Sequence, residues 1–215
     1  MLRTAIFSAA SLLLLELSGP LEAQITPDTL LTRIPQKPEG IWFKHADNAG
    51  KRFLYSQAIE WPSSISAHIA LNIRQGWNER ITLTMYRRTF TLPPIWDNDS
   101  ISWNYGVHPI MGSFSYLAYR NRQAHWTEAV AGTVIGSVIY EYLIAGGTQQ
   151  PSWYDMMSTP VLGSLLGEGI YQVKKLMLKD KYLSIWEKIF ITVSDPFEAF
   201  YYGFNYHKIA AATYR

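Results

Sequence analysis

Through the second half of the chain, apolar positions recur every three or four residues, a period that predicts helices rather than strands. Helix-start signals punctuate this stretch. Pro109 follows His108 and Pro160 follows Thr159, each at a position where a missing backbone N–H costs little. Ser152 and Asp155 have the spacing of a capping box, and Gly146-Gly147 closes the preceding apolar run. The pattern predicts helices over about 109–120, 126–145 and 160–179, with a short one near 153–158. A further helical period runs from Tyr182 to Val193 and ends at Ser194-Asp195-Pro196, before an aromatic segment from Phe197 to Tyr206.

The first half reads differently. Tyr55 to Trp61 ends at Pro62, and Ser64 to Arg74 has helical spacing. Arg80 to Leu92 alternates Ile81, Leu83 and Met85 with threonines, which predicts a half-buried strand stopped by Pro93-Pro94. The expected fold is therefore mainly α: a compact core of several short, glycine-rich helices, with minor β in the N-terminal part. Residues 24–40 hold Pro27, Pro35, Pro38 and Gly40 among polar residues and read as an extended linker. The organisation expected is 1–23, a leader; 24–40, the linker; 41–96, a mixed region; and 97–215, the helical core with its aromatic C-terminal segment.

Residues 1–23 have a basic start at Arg3, an apolar stretch from Ala5 to Leu15, and Ser18-Gly19-Pro20 before the small Ala23. That is the layout of a secretory signal peptide, and it predicts export. The apolar stretch from Ala129 to Ala145 is short for a membrane span and carries Glu141. A buried or membrane-surface helix is expected there instead.

Composition narrows the possibilities. Of 215 residues, 48% are apolar, so disorder is excluded, while the mean hydropathy of −0.06 is too low for a bundle of spans. The absence of cysteine removes disulfides, thiolate zinc sites and thiol nucleophiles. A net charge of +2 without a long basic run gives no electrostatic footing for nucleic acid.

Two segments repeat. Val134-Ile-Gly-Ser-Val-Ile-Tyr-Glu141 matches Val161-Leu-Gly-Ser-Leu-Leu-Gly-Glu168 at an offset of 27 residues. Each copy puts a glutamate four residues after a serine, so Ser137 stacks with Glu141 and Ser164 with Glu168 on one helical face. Gly132 with Gly136, and Gly163 with Gly167, have the small-x-x-x-small spacing that lets helices approach closely.

Glutamates inside apolar helices must be paired, protonated, metal-bound or solvated. Arg120 is the most economical partner for one of them, through a two-pronged guanidinium contact. The reading preferred here is a structural polar network of Asn104, His108, Arg120, Ser137, Glu141, Asp155, Ser164 and Glu168. The alternatives are a catalytic set of His108, Glu141 and Glu168, or a metal site. His108 is placed either to cap a first turn or to face a cleft, and Asp155 is most simply a cap. No nucleophile elbow, zinc-protease motif, phosphate loop or dinucleotide fingerprint is present. The histidines 45, 68, 108, 125 and 207 show no close ligand spacing, and the Asp97-Asn98-Asp99-Ser100 loop reads as a turn rather than a calcium site. No cofactor and no metal are expected.

The run Asp97-Asn-Asp, Asn104, His108-Pro109, Gly112-Ser113, Tyr116, Arg120, Ser137, Glu141-Tyr142, Pro151-Ser152, Asp155, Thr159-Pro160, Gly163 and Gly167-Glu168 resembles the core pattern of an uncharacterised family of exported Gram-negative envelope proteins. The likeness covers about 97–206. It implies a periplasmic or outer-membrane setting, with a membrane lipid or an envelope protein as partner, and no established reaction. Larger members continue into β-rich sequence suggestive of a barrel; no series of alternating strands follows Glu168 here, so a complete barrel is not expected. The function expected is a membrane-associated structural or interaction module. The alternative is a membrane-proximal hydrolase or acyltransferase acting on an envelope lipid through His108 with Glu141 or Glu168.

Overall fold

The computed structural model describes residues 48–74, 81–180 and 182–214. The expected leader and linker lie outside the described residues. Eight α-helices are present among them: α1 (Ala49–Arg74), α2 (Leu83–Thr91), α3 (His108–Arg120), α4 (Trp126–Ile139), α5 (Trp153–Met177), α6 (Ile185–Ser194), α7 (Pro196–Tyr201) and α8 (Tyr206–Thr213). A π turn, Trp103–Val107, leads into α3, and a second, Tyr140–Ile144, extends α4 into a short 3₁₀ turn, Ala145–Gly147.

The centre of the fold is the packing of α3 on α5, with α4 against both. Glycines make it possible. A Cβ on Gly163 would stand 2.5 Å from the Gly112 Cα, and one on Gly112 would stand 2.1 Å from the Thr159 carbonyl oxygen. The two helices thus cross backbone to backbone, as small-residue spacing allows. Gly132 and Gly136 serve a different purpose: they admit side chains, the Tyr119 ring and the Glu60 carboxylate.

Two local expectations are corrected. The strand over 80–92 is helix α2, because Thr82 caps it by accepting the Met85 N–H at 3.1 Å. Tyr86 and Thr89, one helical turn apart, then donate to the Leu143 and Gly146 carbonyls at 2.8 and 2.7 Å. Leu83, part of the apparent alternation, is exposed. The minor β content reduces, among the described residues, to one parallel bridge between Ile95 and Ser152. Second, Pro62 lies inside α1 and Pro160 inside α5, so 153–158 and 160–179 are one helix. A proline in a helix interior costs about 3 kcal/mol, which the long packing interface of α5 on α3 outweighs. Lys174, in the last turn of α5, lies inside the fold. It is fully buried and donates to Asp195 at 2.5 Å and to Asn121 at 2.6 Å.

Trp126–Gly147 is long and apolar enough, by length and composition, to cross a membrane. Its polar residues Thr133, Ser137 and Glu141 are buried against neighbouring helices, while Val134, Ile135, Val138 and Leu143 are exposed. Helix α6 starts with a capping box from Ser184 and Glu187, and Asp195 caps α7. With α8, these helices enclose a second apolar cluster of Leu178, Ile191, Tyr202, Ile209 and Ala212.

Candidate functional site

Four chain segments meet at the N-terminus of α5. The Ile95 bridge, with N–H···O bonds of 2.9 Å to Pro151 and 2.8 Å from Trp153, ties the Asp97 loop beside that helix. Within the loop Asp97 accepts the Asp99 N–H at 3.1 Å, and the Ser152 hydroxyl donates to the other Asp97 oxygen. Ser152 also caps α5 by accepting the Asp155 N–H at 3.1 Å, so the cap is Ser152 and not Asp155. The Asp155 carboxylate turns instead to His108, whose Nε2 stands 3.2 Å from Oδ1. Glu141 reaches the same place from the second π turn and accepts the Ser152 N–H at 2.9 Å. The first π turn leads directly into His108 at the start of α3, and the second carries Glu141; such turns are frequent at functional sites.

Burial governs the protonation of these groups. It pushes the Glu141 carboxyl up to about 8, reinforced by Asp155, Asp97 and Asp99 and opposed by the Ser152 N–H. It pushes Asp155 up to about 7, with Asp97 and Asp99 adding to the effect. His108 is lowered, chiefly by burial, against the pull of Asp99 and Asp97. Near neutral pH the cluster holds a neutral imidazole beside carboxyls that can exchange protons, which is chemistry suited to acid and base roles.

A cavity of about 110 Å³ opens beside it between α1, α3 and α4. Glu60, His108, Ser115 and Glu141 are among its polar lining residues, and Phe114 stacks edge-on against Phe197, at 5.7 Å, in its wall. Burial pushes Glu60 up to about 7, against a hydrogen bond from Gln57.

The remaining expected site residues lie elsewhere. Glu168 accepts from Arg120 Nε at 2.8 Å and Nη2 at 3.2 Å, from the Tyr116 hydroxyl at 2.6 Å and from Gln172 at 2.6 Å. Burial alone would raise Glu168, but these donors hold it below the usual carboxylate range. Arg120 also donates to the Ala124 carbonyl and lies 4.2 Å from the centre of the Tyr171 ring. Glu168 is not among the residues lining the cavity. Asn104 and Ser137 join the His108 end, donating to the backbone oxygens of Asp99 and Asp155 at 3.3 Å each. Ser164 is buried on α5 with its hydroxyl making no hydrogen bond. The contribution of Glu60, in a proline-interrupted helix, carries no signal in the sequence. Asp99 was visible only as half of a turn.

Residues 93–197 match the model of DUF3943, a domain of unknown function. No curated protein and no solved structure matches the chain. The DUF3943 segment contains both polar clusters, with His108, Glu141 and Asp155 at one and Arg120 and Glu168 at the other. Glu60 is contributed from outside it.

Proposed function

We propose that the protein is an exported cell-envelope protein whose helical core is a membrane-associated structural or interaction module at the periplasmic side of the outer membrane. The observation that carries this reading is the distribution of polarity. Many buried side chains are polar, among them Ser113, Thr133, Glu141, Asp155 and Lys174, while long aliphatic and indole side chains lie outside. Helix α6 is the clearest case. Ile185, Ile189 and Val193 follow at one-turn intervals with Trp186 beside them, and all four are exposed, Trp186 at 75%. On α5, Val161 and Leu165 are exposed in the same spacing, Leu165 at 70%. Apolar stripes of this kind favour contact with a lipid surface or a partner, and tryptophan suits the interfacial layer. The signal-peptide layout of residues 1–23 supports the periplasmic side.

The test is flotation of the purified protein with phosphatidylethanolamine and phosphatidylglycerol vesicles, together with fractionation of expressing cells. The protein should float and should sediment with membranes, and Trp186→Asp with Ile189→Asp should lower the floated fraction several-fold. A monomer that stays in the soluble periplasmic fraction after gentle lysis would sink the reading.

A second reading, a membrane-proximal hydrolase or acyltransferase, is favoured by one observation: His108 and Glu141 line the same cavity. It requires fatty-acid release or transfer from those vesicles, lost in His108→Gln.

A further inference from the structure

We propose that Asp99, His108 and Asp155 form a binding site for one divalent transition-metal cation, with zinc and manganese the best chemical matches. Each residue offers a ligand atom, and these atoms all lie within 4.8 Å of one another. They come from three elements, the Asp97 loop, the start of α3 and the first turn of α5, so the constellation is made by the fold.

Asp155 Oδ1 supplies an observation independent of the clustering. It is buried, yet it receives no hydrogen bond. His108 Nε2 stands 3.2 Å away, but outside hydrogen-bonding geometry. Two ligand atoms each about 2.1 Å from one ion are about 3.0 Å apart at a right angle and about 3.4 Å apart at the tetrahedral angle. The observed 3.2 Å separation falls between these two values.

Charge points the same way. Asp97, Asp99, Glu141 and Asp155 gather around a single histidine, and no lysine or arginine among the described residues pairs with any of them. Of the four, Glu141 and Asp155 are buried, and a bound cation would offset the cost of their ionised forms. Asn104, whose amide nitrogen donates to the Asp99 carbonyl, leaves its own buried Oδ1 without a donor, a further oxygen beside the cluster.

The donor set decides the class of ion. Calcium and magnesium favour all-oxygen shells, whereas an imidazole with carboxylates suits zinc, manganese or iron. Asp99 is exposed, which leaves the ion a path from solvent and room for water in the open positions. The site does not depend on whether the core docks on lipid.

The test uses the purified full chain, stripped with chelator and titrated calorimetrically with zinc chloride and with manganese chloride. One equivalent should bind saturably and raise the Tm. Asp99→Asn and His108→Gln should each weaken binding at least about tenfold with the helical circular dichroism unchanged. Asp99 is exposed, so its variant reports even if His108→Gln folds poorly. Asp180→Asn, on the exposed turn after α5, should leave binding as it was. The proposal is overturned if the wild type shows no saturable binding, or if its affinity survives in Asp99→Asn and so belongs to other side chains.

Discussion

Gly163 of α5 rests directly on Gly112 of α3, so that a single added methyl would stand 2.5 Å from the facing Cα. Neither partner has a side chain that could move aside. Gly163→Ala should therefore force the helices apart and destabilise the protein by about 2 kcal/mol or more, despite alanine's better helix propensity. Gly169, two turns further along α5, meets nothing within 4 Å of its own added Cβ and is exposed. Gly169→Ala should stabilise by about 0.5–1 kcal/mol. Urea unfolding of the two variants would check the opposite signs, and a stabilised Gly163→Ala would contradict the crossing.

Lys174 is held by Asp195 and Asn121 in the interior between α3, α5 and α7. Removing one member leaves the other charge buried and unpaired. Lys174→Met should cost about 3–5 kcal/mol, and adding Asp195→Asn should recover part of that loss. Strict additivity of the two substitutions in a denaturant series would show that the pair is not coupled. The readout is stability, since these residues lie away from the cavity.

Glu60 and Glu141 are pushed by burial up to about 7 and about 8. Their neutral forms are favoured in the folded state, so the unfolded chain binds fewer protons between an ordinary glutamate pKa of about 4.3 and those values. The stability these groups contribute is complete below pH of about 4 and is lost as pH rises through about 7 to 8. In the presence of chelator, the Tm should fall between pH 5 and pH 8.5. The fall should be shallower in Glu60→Gln and in Glu141→Gln. An equally steep profile in both variants would assign the effect to other groups.

The elements with strong local chemistry were legible in the sequence. His108-Pro109 begins α3, Ser152 caps α5, Asp195-Pro196 separates α6 from α7, and the glycine spacing of 163 and 167 marks a close helix contact. A two-pronged contact of Arg120 with Glu141 or Glu168 followed from the cost of a buried carboxylate, and the fold makes it with Glu168. What misled was punctuation taken as final. Pro62 and Pro160 signal helix ends locally, yet both lie within helices held by packing. The threonine alternation near Thr82 looked like a strand, but no neighbouring strand exists among the described residues to take up its hydrogen bonds, while Gly146 offers a carbonyl to Thr89 one helical turn after Tyr86.

Composition and periodicity alone determined that this is a helical, cysteine-free domain with carboxylates inside it, because apolar period and capping act over one or two turns. Which carboxylates meet was decided only in three dimensions. Asp99, His108, Glu141 and Asp155 come from a loop, the start of α3, a π turn and the first turn of α5, and Glu60 reaches the cavity from α1, so no spacing along the chain records their distances. Their shifted protonation has the same origin, since burial is a property of the packed structure and not of any one segment.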